Sequence, residues 1–101
     1  MIATYDTESD LIAIELGDVR TAVDSLDPHP RAIVAINDAG DPVQIEISGV
    51  DLGVEEPIEA VASYAYGGSL SVERELLLAA ARAAVTVPDQ VVTISVGLRA
   101  A

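Results

Sequence analysis

The chain has 101 residues, half of them hydrophobic (50%), and its five Lys+Arg against seventeen Asp+Glu give a formal net charge of -12. With no cysteine it forms no disulfide, no thiolate metal site and no thiol nucleophile, and with the single histidine His29 a zinc site would need carboxylates or a second chain. So acidic a surface repels nucleic acid and anionic lipid and attracts basic partners, so the expectation is no nucleic acid and no membrane.

In chain order, Ile2 to Tyr5 predicts a short strand and "DTESD" a polar turn. Leu11 to Leu16 predicts a second strand with Ile12, Ile14 and Leu16 on one face, and Gly17-Asp18 turns the chain. Val19, Thr21 and Val23 alternate with Arg20, Ala22 and Asp24, which predicts a half-buried strand or an edge, and the two prolines of "DPHPR" break any ladder after it. Ala32 to Ile36 is apolar at every position and predicts a central strand covered on both sides. "NDAGD" supplies a hairpin loop, and the partner strand Val43 to Ser48 points Val43, Ile45 and Ile47 inward. The apolar parity then flips to Val50, Leu52 and Val54, which places a bulge or bend at Ser48-Gly49, where glycine supplies positive φ.

From Pro57 the period becomes helical through Ile58, Val61, Ala62 and Ala65, predicting a helix over about 57–66 that Gly67-Gly68 ends. Ser69 or Ser71 is placed to cap a second helix over about 71–86, with Glu73 and Glu75 in its first turn. Its body, "LLLAAARAAV", leaves Glu75, Ala79 and Arg82 as the exposed stripe and an unusually wide apolar face to bury. After Val87-Pro88-Asp89-Gln90, the alternation of Val92, Ile94, Val96 and Leu98 predicts a terminal strand over about 91–99, which either joins the first sheet or pairs with a second subunit. The sum is a single α+β domain: an N-terminal antiparallel β-meander of four to five strands (1–54), then two helices and a C-terminal strand (55–101).

"YDTESDLIAIEL" followed by "AIVAINDAGDPVQIEISG" resembles the prokaryotic domain of unknown function family 2283 over residues 2–52. The matching positions are Tyr5, Asp6, Glu8, Asp10, Ile14, Leu16, Thr21, Gly40, Ile45, Glu46 and Ile47, while Ala13 and Gln44 depart from the family pattern and the helical part lies outside it. The resemblance implies a divergent or C-terminally extended member and, since some members look like neighbours of small toxin-like proteins, an antitoxin-like partner role.

The charge is unevenly placed. Residues 1–59 hold fourteen acids against Arg20 and Arg31, whereas 60–101 hold Glu73, Glu75 and Asp89 against Arg74, Arg82 and Arg99, so the first part carries all of the -12. That asymmetry reads either as an acidic face made for a basic partner or as plain solubility. With no long apolar stretch and no basic n-region, a cytoplasmic protein is expected.

Asp6, Glu8 and Asp10 take the first alternate positions of a calcium loop, but Leu11 and Gly17 stand where that loop needs Gly and a bidentate Glu; what remains is a solvated turn or a simple Mg or Ca site. Glu15 and Glu46 read as outward strand glutamates, and His29 between two prolines as a rigid loop residue. Ser63, Ser69 and Ser71 have no triad partner, so no catalytic residue and no cofactor is expected. The alanine-rich helix must be covered on two sides, either by its own sheet and the first helix or by a homodimer interface through Leu76, Leu77, Ala80 and Ala84. The leading expectation is a non-enzymatic interaction module with a basic protein partner; the alternative is a small metal- or ligand-binding protein centred on Asp6, Glu8 and Asp10.

Overall fold

Alternation of apolar residues builds most of the sheet. In the computed structural model, which describes residues 1–64 and 73–94, the strands are β1 (Ile2–Asp6), β2 (Leu11–Glu15), β3 (Asp24–His29), β4 (Ala32–Ile36), β5 (Pro42–Ser48) and β6 (Val92–Thr93), and the helices are α1 (Glu55–Ser63) and α2 (Arg74–Thr86). The six strands form one antiparallel sheet in the order β3-β4-β5-β2-β1-β6. This is the α+β architecture that the periodicities predict, with β6 joining its own sheet beside β1. The capping roles of Ser69 and Ser71, the Gly67-Gly68 stop and the strand positions Val96 and Leu98 lie outside the described residues.

One core holds the fold. Ile12, Ile14, Ala32, Val34, Ile45 and Ile47 are fully buried on one sheet face, and they pack with Ile58 and Val61 of α1 and Leu77, Leu78, Ala80, Ala81 and Ala84 of α2. Each buried Ile or Leu stabilises the fold by roughly 1.5–3 kcal/mol. α2 keeps Glu75, Ala79 and Arg82 exposed, the stripe that its sequence spacing predicts.

Both helices lie on the same sheet face, so β4 is covered on one side only. Ile33, between the buried Ala32 and Val34, is 48% exposed. The reading of "AIVAI" as a doubly covered strand is corrected for that reason: an antiparallel sheet needs only one packed face, and both helices are used on that one.

Two segments depart from alternation for local reasons. The predicted strand at Val19 to Val23 is instead a 3-10 turn at Val19–Thr21, because the Asp18 carboxylate accepts from the Arg20 backbone N–H at 3.0 Å and the Asp18 carbonyl accepts from the Thr21 hydroxyl at 2.6 Å. A short acid that satisfies nearby backbone donors competes with a ladder. Conversely, "DPHPR" does not end pairing. Pro28 lies inside β3, which is tolerated because β3 is the sheet edge and its register shifts between Leu26 and His29.

Gly49, at φ 64, ends β5 and starts a 3-10 turn at Val50–Leu52, which Gly53 closes at φ 103. The parity flip after Ser48 is therefore a left-handed residue followed by a turn, not a continued bulged strand. α1 begins earlier and ends earlier than its apolar period suggests: Glu55 and Glu56 stabilise its first turn, and Tyr64 is already extended. No helix among the described residues is long and apolar enough to cross a membrane.

Candidate functional site

Among the described residues, the sheet face opposite the helices is left without a covering element. Register places Ser25, Ala35, Gln44, Glu15, Ile2 and Thr93 side by side in one row across all six strands. The next outward row runs Ile33, Glu46, Ala13, Thr4. Glu46 faces Ala13 and Glu15 faces Gln44, so the two glutamates sit diagonally on adjacent strands, at a Cβ separation of roughly 7–8 Å. Neither row contains a cation, and neither glutamate makes an ion pair among the described residues. Ile33 and Ile2, 48% and 37% exposed, supply apolar area on either side. The arrangement is a flat, partly apolar surface with two unneutralised carboxylates near its middle.

One end of the sheet gathers a second acidic group, but as structural fastenings. Asp6 accepts from the Glu8 and Ser9 backbone N–H groups at 2.9 and 3.4 Å, which folds the β1-β2 loop, and Glu8 is exposed. Asp10, left-handed at φ 51, accepts from the Tyr5 hydroxyl at 2.7 Å and, through its carbonyl, from the Gly49 N–H at 3.1 Å. Asp6, Glu8 and Asp10 thus do not converge: among the described residues no three His, Cys, Asp or Glu side chains are grouped so as to hold a metal ion.

Asp10 has different neighbours from those its sequence suggests. The Tyr5 hydroxyl and Asp51 hold its carboxyl below the usual carboxylate range, while the hydrogen bond and negative charge of Asp10 push Asp51 up. The two carboxyls are thus pushed in opposite directions, Asp10 down and Asp51 up. Asp10 also raises the Tyr5 phenol. Asp89 accepts from the Thr7 N–H and hydroxyl at 3.0 and 2.8 Å, which lowers its carboxyl and ties the segment after α2 to the β1-β2 loop.

His29 is a packed link between β3 and α1, not a loop residue. Its Nδ1 accepts from the Arg31 backbone N–H at 3.1 Å, so in the neutral ring the proton sits on Nε2, which donates to Glu56 at 3.1 Å. Arg31 is the structural residue that sequence spacing misses. One guanidinium nitrogen donates to the carbonyls of Ser48, Gly49 and Gly53 at 3.2, 2.6 and 2.9 Å, clamping the 3-10 turn to the sheet. The only trace in the sequence is the pair of glycines, Gly49 and Gly53, that flank the clamped turn.

The proposed interface residues of α2 fall largely inside the molecule. Leu77, Ala80 and Ala84 are fully buried against the chain's own sheet and Leu76 is half-buried, so the wide apolar face is covered from within. A six-stranded sheet is broad enough to do this, which removes their availability to a second copy. Ser63 is exposed at the end of α1, with no histidine or aspartate hydrogen-bonded to it among the described residues. Comparison of the chain with protein-family models, with curated proteins and with solved structures finds no match to any of them.

Proposed function

We propose that this chain is a non-enzymatic protein-interaction module whose open sheet face receives a basic partner. The observation that carries the reading is the uncovered face itself: Glu15 and Glu46 without cations, beside exposed Ile33 and Ile2, on the half of the chain that holds all the net charge. Apolar area with a few unpaired like charges is the composition of a surface that gains by docking an apolar element rimmed with lysine or arginine. The resemblance of residues 2–52 to family 2283 adds an antitoxin-like setting for that partner.

The test uses a synthetic helical peptide with leucines on one stripe and arginines flanking it, titrated into isotopically labelled protein. Amide shifts are expected at Ala13, Glu15, Ile33 and Glu46, weakening with added salt and with Glu15→Gln plus Glu46→Gln. The Debye length falls from about 10 Å at 0.1 M to about 3 Å at 1 M salt, so a charge-led contact fades over that range. Shifts confined to the Asp10 and Asp51 end, or binding that the double substitution leaves intact, would overturn the reading.

A further inference from the structure

On the side of the molecule away from the open sheet face, the loop entering α1 and the last turns of α2 flank a shallow, open groove of about 380 Å³. Val50, Gly53 and Val54 form one wall and Ala81, Val85 and Thr86 the other, with Glu55 on the loop side and Arg82 on the helix side. Its size is at the lower end of the roughly 300–1,000 Å³ that small-molecule sites occupy. Its walls are apolar, and its two charged groups are of opposite sign and stand on opposite sides.

The arginines explain why this groove differs from the rest of the surface. Arg20 pairs with Asp18, Arg74 pairs with Glu59 and Glu75, and Arg31 is satisfied by three backbone carbonyls. Arg82 makes no ion pair or hydrogen bond with any described residue, Glu55 included. In a chain with net charge -12, an exposed arginine that finds no carboxylate is positioned for one brought from outside. A free anion is repelled by the field of the whole protein, whereas a zwitterion has no net charge to oppose it and meets both rim groups.

We propose that this groove binds a free α-amino acid with an aliphatic side chain of about leucine's size, its carboxylate on Arg82, its ammonium on Glu55 and its side chain against Val50, Val54 and Val85. The guanidinium fork suits a carboxylate, and Glu55, free of any cation, suits the ammonium. The aliphatic walls favour an apolar side chain, which gains by leaving water, over a polar one, which does not.

The experiment titrates leucine into labelled protein, in parallel with 4-methylpentanoate, which lacks the ammonium, isoamylamine, which lacks the carboxylate, and glycine, which lacks the side chain. Saturable amide shifts at Val50, Val54, Ala81 and Val85 are expected with leucine, and each analogue is expected to bind at least about tenfold more weakly. Arg82→Gln and Glu55→Gln are each expected to lose about tenfold in leucine affinity with an unchanged circular dichroism spectrum, since both positions are exposed. No saturable shift with leucine at millimolar concentration, equal binding of 4-methylpentanoate or isoamylamine, or full affinity in either variant would each overturn the assignment. The residues read out are not those of the open sheet face, so failure here and failure of the peptide titration are separate results.

Discussion

The two faces of the sheet are made by the same strands, one residue out of step. Leu26, Val34, Ile45, Ile14, Ala3 and Val92 form a row that is apolar from edge to edge, on the face that meets the helices. One residue along, Ser25, Ala35, Gln44, Glu15, Ile2 and Thr93 form a row of mixed character that no described helix covers. A slip of one residue would exchange the rows and put Glu15 and Gln44 under the helices, so the covered row fixes the register and the open row is free to vary. Packing constrains one face; recognition has the other.

The sharpest way to break that comparison is a matched pair of truncations. Ile14→Ala, at a fully buried site, is expected to cost about 2–5 kcal/mol, which at roughly 4–8 °C per kcal/mol is a large fall in melting temperature for a domain of this size. Ile33→Ala, on the open face, is expected to change stability by no more than about 0.5 kcal/mol. Equal losses in urea unfolding would mean that the open face is covered after all.

A smaller effect is expected where the sheet meets the clamped turn. An added Cβ at Gly49 lies 3.0 Å from Arg31 Cδ, on a backbone at φ 64. Gly49→Ala is therefore expected to cost about 1–2 kcal/mol through the left-handed conformation alone, and to disturb the Arg31 clamp besides. Gly17→Ala is the control, since its Cβ meets only Val43 at an ordinary 3.5 Å and should leave the urea midpoint nearly unchanged.

The smallest effect is a pH dependence at the same end. Asp51, with its carboxyl raised, binds a proton more tightly folded than unfolded, so mild acidification towards the upper carboxylate range should raise stability slightly. Asp10, Asp18 and Asp89 are lowered, so in the folded state they stay ionised where the unfolded chain is protonated, and their contribution is lost as pH falls further. Asp51→Asn should remove the first effect and keep the part of the second that Asp18 and Asp89 supply. Identical profiles of urea midpoint against pH for the two proteins would sink the account of Asp51 as raised by Asp10.

Much of the covered face was legible in the sequence and little of the acidic end was. The alternations of Ile12 with Ile14 and of Ile45 with Ile47, the "NDAGD" hairpin and the stripe of Glu75, Ala79 and Arg82 are local periodicities, and local periodicity survives into the fold. Val19 to Val23 misled because one carboxylate, Asp18, outweighs an alternation of three residues. Pro28 misled because its tolerance depends on β3 lying at the edge, which is a fact of sheet order. Asp10 reads in sequence as a companion of Asp6 and Glu8, but its partner Asp51 lies 41 residues away, and Arg31 reaches carbonyls that only tertiary structure brings near. For Leu77, Ala80 and Ala84 the helix pattern left burial in the chain's own core and a second copy as alternatives, since the breadth of the sheet that covers them is not written in the helix.

The fastening of β6 and the segment before it has a kinetic consequence. Met1 bonds to Ile94 across 93 residues of sequence and Thr7 to Asp89 across 82, while among the described residues β6 pairs with β1 at two positions. Contacts of such separation require the intervening chain to be ordered first, and each brings a large loop-closure entropy that two ladder positions barely offset. This edge of the sheet is thus expected to form late and open early, and amide exchange along β1 that is faster than along β2 and β5 would show it.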